Sequence, residues 1–265
     1  MTRLVDFSKF TSVRIGGVHE IFEVDSLEDL SSPHFLGSVM IGGGNNLLIS
    51  PNPPKMAMLG KSFDYINLEC LGDKIYLEIG AATKSAKIYN FCKQNNIANL
   101  EFLKNIPGTL GGLIKMNAGL LKFSISDNLT YVRLARGWVS KEEINFSYRH
   151  SGIDEAILGA KFELSSGFDA SISEAISAKR ANQPKGASFG SCFVNPEGHF
   201  AGALIEAVGL KGYVIGGAKF SEEHANFLIN FNHASFEDAT GLINLARARV
   251  LEKFGVELKT EVCIL

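Results

Sequence analysis

The sequence predicts an α+β protein, and three observations carry that class. The first half alternates short apolar runs with glycine- and proline-rich breaks, at strand rather than helix length. The last hundred residues instead place apolar side chains at helical spacing. No repeat or low-complexity tract interrupts either part, and 265 residues suffice for two or three compact units.

The elements follow in order. "TSVRIGG" (11–17) ends in paired glycines, "EIFEV" (20–24) alternates, and "VMIGGGNNLLIS" (39–50) is an apolar strand running into a glycine loop. The proline-rich "PNPPK" (51–55) is a candidate domain boundary. "DKIYLEIGAAT" (73–83) is a strand and loop leading into a helix over 84–95, with Thr83 as its cap and Ile88, Tyr89 and Cys92 on one side. "TYVRLARGW" (130–138) and "EAILGAKFEL" (155–164) are further strands. "ISEAISAKRA" (172–181) is helical through Ile172, Ala175 and Ile176, and "GHFAGALIEAVGL" (198–210) is a second helix ended by Gly209. "SFEDATGLINLARARVLEKFG" (235–255) is the clearest helix: Ser235 caps it, Phe236, Ala239, Ile243, Ala246 and Val250 form its stripe, and Gly255 stops it. The closing "KTEVCIL" reads as a short strand.

Bulk composition narrows the function. A net charge of −2 leaves no cationic excess for a phosphate backbone, so no nucleic-acid partner is expected. "MTRLVDFSKF" lacks the apolar run of a signal peptide, and no later stretch could span a bilayer. Cys70, Cys92, Cys192 and Cys263 are scattered, with no CxxC pair and no histidine at ligand spacing. Neither a disulfide framework nor a metal site is expected, and a reducing cytoplasm fits best.

Two segments stand out, "GGGNNLL" (42–48) and "NIPGTLGG" (105–112). Glycine admits positive φ and close approach, so bare backbone N–H groups can converge there on a pyrophosphate. A tight strand–loop junction explains one such triplet as simply. Neither is a P-loop or a GxGxxG turn. Two clusters together suit a long dinucleotide such as FAD better than a mononucleotide.

Those segments belong to a longer series: "TSVRIGG", "GGGNNLL", "LEFLKNIPGTLGGLIKMNAG" (100–119), "SYRHS" (147–151), "GSCFVNP" (190–196), "GLKGYVIGGAKFSEEHANFLIN" (209–230) and "TEV" (260–262). The series resembles, nearly end to end and in order, the UDP-N-acetylenolpyruvoylglucosamine reductases. That resemblance implies a three-domain flavoprotein with a vanillyl-alcohol-oxidase-type FAD-binding fold and a C-terminal α/β substrate domain. The corresponding division is 1–55 joined by the terminal strand 258–265, then 56–168, then 169–257. The implied activity is NADPH-dependent, FAD-mediated reduction of UDP-N-acetylglucosamine enolpyruvate to UDP-N-acetylmuramate for bacterial peptidoglycan. The expected state is a cytoplasmic monomer with non-covalent FAD, no metal and no membrane partner.

Residue by residue, the resemblance implies that Gly42, Gly43, Gly44, Asn45 and Asn46 wrap the FAD pyrophosphate. Ile106, Pro107, Gly108, Thr109, Gly111, Gly112, Asn117, Ala118 and Gly119 would line the rest. Ser191 would donate the proton, Arg149 would grip the substrate carboxylate through its planar fork, and Glu261 would sit beside that carboxylate and share a proton with it. Tyr148, Asn195, Lys211, His224 and Asn226 lie where the family contacts the sugar nucleotide. Lys179 and Arg180 precede "NQP" at a basic phosphate contact. Arg180 is carried forward, although the resemblance does not choose between the two.

Alone, Arg149 reads as a surface arginine, Ser191 as a turn serine, Glu261 as a solvated strand end and His224 as a histidine at a helix start. Tyr148 and Ser151 could simply shape the turn that presents Arg149. The forty or so residues between "SYRHS" and "GSCFVNP" leave little room for the extra substrate-covering loop of longer members, so the chain resembles the shorter subtype. Asn45 stands where a small serine is usual, and Cys192 where valine or phenylalanine is common. Two rivals fit part of the pattern: a flavin oxidase of the same cofactor fold, and a sugar-nucleotide binder without turnover.

Overall fold

The computed structural model describes residues 1–180 and 183–265. The front of the chain forms β1 (Thr2–Asp6), α1 (Phe7–Phe10), β2 (Val18–Val24), β3 (Val39–Ile41), β4 (Leu47–Leu48) and β5 (Met56–Leu59). Next come β6 (Ile66–Leu71), β7 (Lys74–Gly80), α2 (Ser85–Gln94) and α3 (Leu110–Lys115). Two hairpins follow, β8 (Gly119–Leu120) with β9 (Phe123–Ser124) and β10 (Leu129–Leu134) with β11 (Gly137–Ser140), and then β12 (Gly159–Leu164). The last part holds α4 (Ala170–Lys179), β13 (Ala187–Ser191), α5 (Ala201–Ala207), β14 (Val214–Ile215), β15 (Ala218–Phe220), β16 (Phe227–Asn230), α6 (Phe236–Phe254) and β17 (Cys263–Ile264).

The strands make three larger sheets. One is ordered β1-β2-β5-β3, with β5 parallel to both β2 and β3. The second is antiparallel, β11-β10-β12-β7-β6, and the third is antiparallel, β13-β16-β15-β14. In addition β17 runs parallel to β4, pairing Cys263 with Leu47 and Ile264 with Leu48. The chain forms two compact units: Met1–Arg3, Ile21–Gly43 and Lys55–Ala181 in the first, and Leu4–Glu20, Gly44–Pro54 and Asn182–Leu265 in the second. The chain changes unit between Pro54 and Lys55, inside the proline-rich run.

In the first unit, the period-2 pattern of β7 and β12 puts Leu77, Ile79, Ala160 and Phe162 into the core, with Ile88, Tyr89 and Cys92 of α2 packed in the same cluster. The alternate residues Lys74, Glu78, Lys161 and Glu163 form ion pairs on the other face. In the second unit, α6 buries Ala239, Leu242, Ile243, Ala246 and Val250 in a core that also takes in Leu48 and Val262. Fully burying a side chain the size of valine or leucine contributes about 1.5–3 kcal/mol, so the tail is anchored despite its terminal position. Ser235 and Asp238 form a reciprocal capping box, and Gly255 closes the helix at φ 67°.

Several local readings differ from the structure. Thr83 does not cap α2: the N-cap is Lys84, without a side-chain bond, and the buried Thr83 hydroxyl donates to Tyr65 O at 3.1 Å. In α4, Ala175 is exposed while Ser173 is buried, donating to Ala170 O at 2.8 Å. The expected end of that helix at 181 lies outside the described residues. "TYVRLARGW" is two strands, because Gly137 at φ 121° lets the chain fold back as β11. "EIFEV" does not alternate: Ile21 and Phe22 are both buried, as suits a strand inside a sheet. "SEEH" starts no helix. Ser221 Oγ accepts from Glu223 N and His224 N as a cap would, and the chain then turns into β16.

Candidate active site

Ser191 ends β13 beside a bulge. The β13–β16 ladder pairs Ala187 with Asn230 and Ser188 with Ile229, then Ser191 with Phe227, so β13 holds one residue too many. Gly190 absorbs it at φ 84°, with no atom of the described residues within 4 Å of the place a Cβ would take. A bulge of this kind re-aims the side chain next to it, here Ser191.

Past Ser191, the chain runs antiparallel to the tail. Glu261 N donates to Cys192 O at 2.9 Å and Val194 N donates to Lys259 O at 3.0 Å. Asn46 ties the glycine loop to the same place: its Nδ2 donates to Glu261 O at 2.8 Å, and its carbonyl accepts from Cys263 N at 3.0 Å. Ser191, Glu261 and Asn46 are therefore brought together within the second unit. Cys192 is fully buried; burial, and secondly the Glu261 charge, push its thiol well above the usual range. It is a packing residue, since only a thiolate would be a nucleophile.

The remaining expected contacts in this unit have partners of their own. Asn195 Oδ1 accepts from Ala201 N at 3.0 Å, at the start of α5. Lys211 Nζ meets Glu206 Oε1 at 2.9 Å. His224 is exposed, its Nδ1 accepting from Asn226 N at 3.2 Å and its ring edge-on to Phe227. Asn226 is buried, and its amide is engaged by Phe193 N and Phe193 O. Gly44 has φ 74°, and a Cβ there would meet the Phe10 ring at 2.8 Å. "TSVRIGG" holds this loop, with Ser12 N donating to Gly44 O at 3.0 Å and Ser12 Oγ to Asn45 O at 3.2 Å.

In the first unit, the second glycine cluster meets the end of the first. A Cβ on Gly42 would lie 2.8 Å from Thr109 Oγ1, and one on Gly111 would lie 3.2 Å from Ala81 Cβ. Gly108 O accepts from Ser85 N at 2.9 Å, Ile106 N donates to Leu103 O at 3.3 Å, and Ala118 O accepts from Ile125 N at 2.9 Å. A Cβ on Gly119 would strike Phe123 O in the β8–β9 hairpin. At Gly42, Gly44, Gly111 and Gly119 the group in the way of a side chain is thus the protein itself. Gly112 differs. Its nearest neighbour would be Thr109 Oγ1 at an ordinary 3.6 Å, and its φ lies outside the left-handed region, so nothing among the described residues calls for glycine there. A flat group lying against the backbone would, and on this observation the segment fits FAD.

Arg149 sits in a two-residue turn closed by Ser147 N to His150 O (2.9 Å) and His150 N to Ser147 O (3.2 Å). It adopts φ 58°, a conformation that costs a non-glycine residue about 1–2 kcal/mol. The guanidinium lies 5.2 Å over the Tyr148 ring and donates to Gly119 O at 3.2 Å. Asn117 holds the turn from outside, Nδ2 donating to Ser147 O at 2.9 Å, while its Oδ1 accepts from Ser124 Oγ at 2.6 Å. Ser151 is buried, its Oγ accepting from Ile153 N. Arg180 donates to Asn105 O, and burial, then the charge of Arg149, lowers its pKa. Two mutually repelling guanidiniums suit an anionic ligand. Among the described residues no cluster of His, Cys, Asp or Glu could hold a metal ion.

Gly190, Asn105 and Ser12 were not legible as site residues. Only the glycine before Ser191 carried a signal, that of a possible bulge.

Known proteins resemble the chain closely. Residues 182–265 match the family model for the UDP-N-acetylenolpyruvoylglucosamine reductase C-terminal domain. The chain is 50% identical over 263 residues to UDP-N-acetylenolpyruvoylglucosamine reductase of Campylobacter jejuni (strain RM1221), covering 99% of this chain and 100% of that one. It is 46% identical over 264 residues to the protein of the same name from Helicobacter hepaticus, covering 100% and 99%. Among solved structures, UDP-N-acetylenolpyruvylglucosamine reductase from Thermus caldophilus superposes with a TM-score of 0.85 at 27% identity, covering 100% and 99%.

Proposed function

The chain belongs to the UDP-N-acetylenolpyruvoylglucosamine reductases, and from that premise we propose how its own residues carry the reaction. It is an FAD-dependent oxidoreductase that uses NADPH to reduce UDP-N-acetylglucosamine enolpyruvate to UDP-N-acetylmuramate, in peptidoglycan precursor synthesis. FAD, when bound, supplies hydride transfer from NADPH to the enol ether.

Ser191 donates the proton to the carbon bearing the carboxylate. Serine is a weak acid in water, but an enolate of a carboxylate is more basic than an alkoxide, so a water-poor site makes the transfer feasible. Glu261 lies beside that carboxylate and shares a proton with it, and Arg149 grips it. Arg180, Lys211 and Asn195 serve the nucleotide end. Residues 42–46, 106–112 and 117–119 would hold FAD, and the space beside Gly112 supports that reading. The observation that carries this reading is the pairing of the Ser191 and Glu261 segments through Cys192 O.

The three larger sheets support a three-domain reading, 1–55 with the returning strand 258–265, then 56–168, then 169–257, in a vanillyl-alcohol-oxidase-type arrangement. β5 at 56–59 completes the first sheet from just beyond the first boundary. We place the protein in the cytoplasm as a monomer. None of its four cysteines is in a disulfide, and among the described residues no helix is long and apolar enough to cross a membrane. The test is absorbance: purified protein should be yellow, bleach with NADPH and recover its colour with the enolpyruvyl sugar nucleotide. Recovery with O₂ alone would favour an oxidase.

A further inference from the structure

Asn226 was expected at the sugar nucleotide, yet it is 3% exposed and both ends of its amide are engaged. Its Oδ1 accepts from Phe193 N at 2.9 Å and its Nδ2 donates to Phe193 O at 2.8 Å. Because one partner is a donor and the other an acceptor, the orientation of the amide is fixed. Its backbone takes part as well, Asn226 O accepting from Cys192 N at 2.7 Å.

The reason for this clamp lies in the ladder. β13 and β16 pair as far as Ser191 and Phe227. One residue earlier on the partner side, at Asn226, the chain leaves β16 for the 221–226 turn, so Phe193 has no β16 residue opposite it. On its other edge Phe193 pairs antiparallel with Thr260 of the tail, but there the bonds run from Glu261 N to Cys192 O and from Val194 N to Lys259 O, which leaves Phe193 N and O to the Asn226 side. The Asn226 side chain stands in for the missing peptide unit. Gly190, the bulge, lies on one side of Ser191, and the clamped Phe193 lies on the other. Between a permissive residue and a fixed one, the direction of the Ser191 side chain is set by the clamp.

We infer that Asn226 is a positioning residue for Ser191, acting through Phe193 rather than on the substrate. This rests on the reading of Ser191 as the proton donor. The same clamp fixes Cys192 O, and through it Glu261 N, so it also sets the register between the two acid-bearing segments.

The test compares Asn226→Ala, Ser191→Ala and the double variant in the FAD-loaded protein by stopped-flow absorbance. Asn226→Ala should leave flavin reduction by NADPH within about twofold and slow reoxidation by UDP-N-acetylglucosamine enolpyruvate about 10²-fold, the scale of a small misplacement. Substrate affinity should hardly change, and the double variant should be no slower than Ser191→Ala alone. Amide exchange at Phe193 reads the clamp without turnover, and protection should fall in Asn226→Ala. Asn226→Asp adds a pH readout: only the protonated carboxyl can donate to Phe193 O, so reoxidation relative to the parent should recover as pH falls.

A weakened substrate affinity with an unchanged rate would make Asn226 a substrate contact and overturn the inference. Equal slowing of both half-reactions, or a double variant slowed by the full product of the two singles, would overturn it too. If Asn226→Ala fails to fold, Asn226→Asp decides, and a flat relative pH profile rejects the inference. Ser191→Ala at full speed would instead remove Ser191 as donor, a result read from that single variant alone.

Discussion

The Arg149 turn and the Ser191 bulge solve one problem in two ways. Each presents a polar side chain from left-handed backbone. At Arg149 the presenting residue itself takes φ 58°, while at Ser191 the residue before it, Gly190, takes φ 84°. The first arrangement stores strain in the presenting residue, and the second stores none. Asparagine or glycine would fit the Arg149 position at lower cost, so an arginine there is held at the expense of local stability. At Ser191 the backbone is cheap to form, and precision comes from neighbours.

The largest expected effect breaks the Ser191 side. Ser191→Ala should slow flavin reoxidation by the enolpyruvyl substrate about 10²- to 10⁴-fold while leaving NADPH-driven reduction intact, as stopped-flow absorbance would resolve. Slowing of both phases alike would make Ser191 a structural residue.

Arg149→Gly tests the opposite side. It relieves about 1–2 kcal/mol of left-handed strain and gives up the hydrogen bond to Gly119 O and the contact over the Tyr148 ring, together of similar worth. The melting temperature should therefore stay within about 2 °C, while turnover falls about 10²-fold. A large drop in melting temperature would show the arginine to be holding the fold.

Gly112→Ala sharpens the contrast between glycines required by packing and glycines required by a ligand. There is room for a methyl group in the protein, and alanine within α3 should stabilise the flavin-free form by up to about 1 kcal/mol. Retention of FAD should nevertheless weaken, measured by flavin fluorescence on dilution. Undiminished retention would take Gly112 out of the cofactor contact.

The smallest effect lies away from both. Asp238 accepts from Gly217 N and Ser235 N, and those bonds, the Gly217 one first, hold its carboxyl below the ordinary 3.8. A depressed folded pKa means that the stabilisation is complete above the unfolded value and is lost as pH falls through the folded one. Asp238→Asn should thus lower stability by about 1 kcal/mol near neutrality and converge with the parent in acid below pH 3.8, in denaturation titrations across that range. Turnover should be unaffected.

Glycine clusters were easy to see and harder to interpret. "GGGNNLL" and "IPGTLGG" both mark close-approach backbone, yet Thr109, Phe10 and Ala81 account for Gly42, Gly44 and Gly111, and Gly112 has room for a methyl group. A sequence shows that space is scarce without showing what fills it. Thr83 precedes α2 without capping it, and "SEEH" starts no helix, for a related reason. The Thr83 hydroxyl goes to Tyr65 O, and Ser221 makes cap-like bonds before the chain turns into β16.

The sequence by itself determined α6, from its Ser235 cap to its Gly255 stop, and the motifs that identify the family. Helical periods, caps and glycine turns arise from bonds between residues three to five apart, so the neighbours that make them can be read directly. Only the tertiary structure decided that Asn46 holds Glu261 across 215 residues, that the tail pairs with β4, and that Asn226 clamps Phe193. Each of those bonds joins residues far apart in sequence, and the Asn226 one satisfies polar groups that burial has cut off from water; which groups meet or are cut off is known only once the chain has packed.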